Sequence, residues 1–142
     1  MEIADVRKRI KDTIERARRQ AADRRTHNAE AALSYERFLA TVAVPVCQQA
    51  AGVLKSEGYP FIVHTPADTV RLASERWPED FIEIRLDTTG PRPQVVARVE
   101  RVKGRETVAE YRPLKPGAFI AHLTEQDVLD LLSEALEVFV EK

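Results

Sequence analysis

Cysteine is almost missing from this chain of 142 residues: Cys47 stands alone, so neither an intrachain disulfide framework nor a thiolate-rich zinc site can be written. Glycine is scarce too. The five glycines are never closer than six residues to one another, which excludes the phosphate-cradling loop and the dinucleotide fingerprint. No Gly-x-Ser-x-Gly elbow occurs. An excess of one charge is lacking, with 22 basic against 23 acidic side chains, which disfavours a strongly basic nucleic-acid binder or an acidic tail. No unbroken apolar run approaches ~18 residues, so no membrane span is expected. The start, Met1-Glu2-Ile3-Ala4-Asp5, lacks the apolar stretch of a signal peptide. Together with the single cysteine this points to a reducing cytoplasm.

What is present fits one globular domain over residues 1–142, with 44% apolar and 32% charged residues. Proline and glycine divide it into three parts. The first 44 residues hold no proline, seven of the eight prolines lie from Pro60 to Pro116, and the last 25 residues hold neither proline nor glycine. Both residue types break helices and make turns, so the chain reads as helix, turn-rich middle, helix. The expected fold is α+β: a long kinked N-terminal helix (1–57), an antiparallel meander of about five strands (58–116) and a C-terminal helix (123–142) packed on one sheet face.

The N-terminal segment from Ile3 to Leu54 is rich in strong helix formers. At 100° per residue, Ile3, Val6, Ile10, Ile14, Ala17 and Ala21 share an arc of about 80°, and Ala32, Tyr35, Leu39, Val42, Val46, Ala50 and Val53 return to it. A loop would normally scramble that phase, so one helix is favoured over a hairpin bending at Asp23–Asn28. Pro45 should kink it, and Gly58 should end it. Such a helix would exceed the radius of its own domain, near ~14 Å, several times over. Its stripe therefore predicts an oligomer interface at Ile10, Ile14, Ala21, Ala32, Tyr35, Leu39, Val42 and Val46, in a homodimer or other homo-oligomer.

Five strands are expected at Tyr59–His64, Thr69–Ser74, Phe81–Thr88, Gln94–Val102 and Arg105–Leu114, with a turn at Lys103-Gly104. Ile82, Ile84 and Leu86, and likewise Val95, Ala97 and Val99, alternate onto one buried face. In the C-terminal helix Thr124 should be the N-cap, with Asp127 completing a capping box and Leu123 and Val128 a hydrophobic staple.

Chemistry is harder to place. His27, His64 and His122 have no second ligand at helical or hairpin spacing, so no metal or cofactor is expected. Cys47 has no cation beside it to make a thiolate and reads as a packing residue. The polar sheet face alternates acids and bases. Arg71, Arg85, Arg98 and Arg112 on it form a candidate anion-binding set, set against plain cross-strand ion pairing. Arg101, Lys103 and Arg105 around Gly104 offer a second cationic spot at a hairpin tip. Residues 1–25 carry nine bases and five acids. Arg7, Lys11, Arg18 and Arg25 form a ridge beside the apolar stripe that suits phosphates, although no aromatic accompanies it for stacking. The C-terminal helix holds six acids and one lysine, so the two helices could pair with each other as readily as with DNA. The expected function is a non-enzymatic, homo-oligomeric interaction protein. Nucleic-acid binding on the basic ridge and anionic-ligand binding on the sheet are the alternatives.

Overall fold

The computed structural model describes residues 1–140. Helix α1 (Ile3–Phe38), a π-helical turn (Leu39–Ala43) and helix α2 (Val44–Ser56) follow without a break, giving one helix of 54 residues, or about 80 Å. Arg24–Asn28 is helical throughout; no bend interrupts it. The π turn answers to Pro45. Proline has no N–H to donate, and its ring crowds the carbonyl four residues back. The chain widens one turn earlier instead, with the Val44 N–H reaching the Leu39 carbonyl five residues back. Gly58 ends the helix at φ +91°. Its N–H bonds the Lys55 carbonyl and that of Tyr59 bonds the Leu54 carbonyl, at 3.2 and 2.8 Å. This is a Schellman motif, which needs the left-handed conformation glycine adopts freely.

Strands β1 (Phe61–His64), β2 (Val70–Ser74), β3 (Phe81–Asp87), β4 (Gln94–Lys103) and β5 (Glu106–Pro113) form an antiparallel sheet in sequential order. The last hairpin pairs Lys103 with Glu106, so Gly104-Arg105 is its turn, one residue later than the spacing suggests. Gly104 takes φ +66° there. A 3₁₀ turn (Ile120–His122) leads into helix α3 (Glu125–Val140). The capping box forms: the Thr124 N–H donates to the Asp127 carboxylate at 2.9 Å, and the Asp127 N–H donates to the Thr124 hydroxyl at 3.3 Å.

One face of the sheet is covered by helix. Tyr35, Phe38, Ala43, Val46 and Cys47 of the long helix and Val128, Leu131, Leu132 and Ala135 of α3 meet Leu72, Ile82, Ile84, Val95, Ala97 and Val99. The apolar stretch around residues 38–47 bears on the expectation of no membrane span. Within Ile3–Ser56 one window of 18 residues reaches a mean hydropathy of 1.3, enough by length and composition to cross a membrane. Counting unbroken apolar runs misses it because residues such as Gln48 and Gln49 interrupt them. Here Phe38, Ala43, Val46 and Cys47 of this helix are buried against the sheet.

Burial pushes the Cys47 thiol up to about 12, from roughly 8.5 in an unfolded chain. At pH 8 the folded thiol therefore stays protonated, and a thiol reagent such as Ellman's should label it only on unfolding. Because the folded value is raised, the contribution is intact below the unfolded pKa. It is lost as pH climbs above about 8.5, where the unfolded chain releases the proton first. The urea midpoint should fall between pH 7.5 and 10, and fall less in Cys47→Ala.

Candidate functional site

Three surfaces remain after the core is built. The first is the N-terminal part of α1. Residues 1–20 are exposed without exception, and Ala31 is the first residue to pack against the core. About 40 Å of helix thus projects from the sheet. This arm carries Ile3, Val6, Ile10 and Ile14 on one face, at exposures from 43% to 79%. The sequence stripe therefore divides. Ile10 and Ile14 are exposed, Ala21 is half-buried and Ala32 exposed, while Tyr35 and Val46 are buried and Leu39 and Val42 pack half-buried onto the core. The second half of the stripe faces the chain's own sheet, because the phase that would suit a partner helix suits that sheet equally. Arg7, Lys11, Arg18 and Arg25 are all exposed along one flank of the arm. Among the described residues none of them forms an ion pair.

The second surface is the sheet face opposite the helices. Strand register puts Arg71, Glu83, Arg85, Arg98 and Glu100 on it, with Phe81 and Tyr111. Glu83 is buried at 4% exposure beneath two arginines. Its carboxylate accepts from the Arg71 Nε at 2.7 Å and lies 3.8 Å from Arg85. The Arg71 guanidinium stacks 4.1 Å from the centre of the Phe81 ring. Arg98 pairs with Glu100 at 2.9 Å and leans between Phe81 and Tyr111.

Arg112 does not belong to this set. It pairs across from Ala97, whose side chain lies in the core, so Arg112 points to the helix side. There it bonds Glu110 at 2.9 Å and approaches Glu134 of α3. That bond holds the Glu110 carboxyl below its ordinary value. Alternation within β5 reads equally well either way up, since both of its faces are polar; only the register settles it. The four arginines are thus split between two faces and each has an acidic partner. The arrangement favours a largely self-paired charged layer over an open anion cradle, although the buried Arg98 Nε has no hydrogen-bond partner among the described residues.

Of the third surface only the cationic hairpin tip at Arg101 and Lys103 was legible in the sequence. At the end of the sheet, where β1 begins and the β4–β5 hairpin closes, lies a groove of about 790 Å³. It is lined by Tyr59, Trp77, Arg76, Arg101, Lys103 and Phe139 among others. Read alone, Trp77-Pro78-Glu79-Asp80 is a turn and Arg101–Arg105 a hairpin tip. The Asp80 carboxylate joins them by accepting the Val102 N–H at 2.9 Å, a contact across 22 residues that no local spacing announces. Among the described residues no group of three or more His, Cys, Asp or Glu side chains is placed to hold a metal ion. No known protein family, curated protein or solved structure matches the chain.

Proposed function

We propose that this chain is a homo-oligomeric interaction protein whose N-terminal helical arm is its assembly surface. One observation carries the reading: the first 20 residues are exposed throughout, yet hold Ile3, Val6, Ile10 and Ile14 on one side of a helix. An isolated solvated helix gains little from such a stripe, whereas a partner that covers it removes apolar area from water.

Charge favours a second copy as that partner. The arm is basic, with nine Lys and Arg against five acids over residues 1–25. Helix α3 turns Glu125, Asp130, Glu134 and Glu137 to solvent, together with the exposed Leu129. Among the described residues no ion pair joins α1 to α3 within the chain. The arm of one copy and the acidic helix of another are therefore complementary, with Glu125, Asp130 and Glu137 in no ion pair among the described residues.

Light scattering on the eluting protein tests this. The expected result is a mass at or above twice the 16.1 kDa of one chain, shifting toward the single chain as salt screens the basic–acidic match. A mass of one chain at every concentration and at low salt would overturn it.

A further inference from the structure

We propose that the groove beside Trp77 binds a nucleotide, its base stacked on Trp77 and Tyr59 and its phosphate held by Arg76, Arg101 and Lys103. The volume of about 790 Å³ suits a small ligand. Its walls combine two features that can recognise a nucleotide. One is a pair of aromatic rings left in water: Trp77 is 60% exposed and Tyr59 38%. The other is three cations, of which Lys103 stands opposite Glu106 across the hairpin and Arg101 lies near Glu110. Among the described residues, none of Arg76, Arg101 and Lys103 forms an ion pair, in contrast to every arginine of the charged sheet face.

The tryptophan is not simply on a loose loop. The Trp77 N–H donates to the Ser74 hydroxyl at 3.1 Å and its carbonyl accepts the Asp80 N–H at 2.8 Å. The Ser74 N–H in turn donates to the Asp80 carbonyl at 2.9 Å, and the Asp80 carboxylate ties the turn to β4. A turn closed by four hydrogen bonds holds a large apolar ring in solvent. These bonds fix the backbone of the turn, so less of the chain must be ordered when a ligand arrives. Phe139, which also lines the groove, packs edge-on against Phe61 at 5.9 Å.

Two acids also line the groove, Glu79 and Asp80. Asp80 is engaged with the Val102 amide. Glu79 is exposed on the same turn as Trp77, so the cations outnumber the acids and the phosphate end belongs toward the hairpin. Stacking on an aromatic side chain tolerates any base, so ring identity is left open by this geometry, and the phosphate is required by it.

Trp77 is the sole tryptophan of the chain, so its fluorescence reports on the groove without labelling. Titration of the full-length protein with 5′-AMP should quench or shift that emission saturably. Adenosine and inorganic phosphate, each offering half of the ligand, should bind roughly tenfold or more weakly. A short single-stranded oligonucleotide binding more tightly than AMP would make the nucleotide a unit of a polymer; AMP binding as well or better would make it a free molecule. Either supports the proposal, provided that Arg101→Ala with Lys103→Ala weakens binding roughly tenfold or more. By calorimetry, Trp77→Ala should do the same. Both variants alter groups outside the core and should keep the native circular dichroism. The proposal falls if neither AMP nor the oligonucleotide produces a saturable change. It falls equally if phosphate alone binds as tightly as AMP, or if the charge variant binds undiminished.

Discussion

On the proposal that the arm is an assembly surface, replacing Ile10 and Ile14 together by glutamate should leave folded monomers. Both side chains stand on the exposed face of the arm, at 57% and 45% exposure. Covering an isoleucine is worth roughly 1.5–3 kcal/mol, and a carboxylate in its place must be desolvated without a partner. Across the four altered positions of a dimer, the dissociation constant should rise by about a thousandfold or more. The same change should leave the stability of the dissociated chain within about 0.5 kcal/mol of the parent, because neither side chain touches the core. Sedimentation velocity and urea unfolding, read on one preparation, check both halves. A variant that unfolds instead would mean that the arm packs on its own globule.

The second large effect belongs to Tyr35, where the arm enters the core. Tyr35→Ala should cost about 3–5 kcal/mol, as truncation of a buried aromatic does. The ring is 4% exposed, and its hydroxyl donates to the Asp68 carbonyl at 2.6 Å and approaches that of Ile84 at 3.3 Å. Asp68 sits at φ +56°, a conformation that aspartate tolerates better than most residues. The phenol thus fastens the β1–β2 turn and β3 to the helix. Tyr35→Phe should cost about 1–2 kcal/mol, the loss of the bond with the ring retained. Burial also pushes the phenol pKa well up, so this bond persists through the alkaline range. Urea unfolding measures both variants. If Tyr35→Ala dissociated the assembly without destabilising the chain, Tyr35 would be an interface residue and not a core one.

The contrast between these two positions shows what periodicity can reveal. Ile10 and Tyr35 have the same phase on one helix, and the phase correctly predicts that the helix continues through Arg24–Asn28. It carries no information about what covers each turn. That depends on where the sheet lies, and the sheet meets the helix only from Ala31 onward. Local signals elsewhere were strong because their physics is local: Gly58 for the helix end, Thr124 and Asp127 for the cap. Pro45 was expected to kink the helix, and a π-helical turn stands there instead. The meander was legible for the same reason, since short connections between alternating strands leave few topologies. Arg112 was misplaced because β5 is polar on both faces and alternation alone cannot orient it. The groove around Trp77 was legible only at its cationic hairpin tip, because it is assembled from four separate stretches of chain, with Asp80 bonded to Val102 across two of them.

Hydrogen exchange along residues 3–25, followed as a function of protein concentration, tests most directly whether the arm is the assembly surface. The account predicts that the amides around Ile10 and Ile14 are protected at high concentration and lose that protection on dilution, while those around Val46 and Leu132 hold theirs. Arm amides that exchange as rapidly at the highest concentration as at the lowest would contradict it.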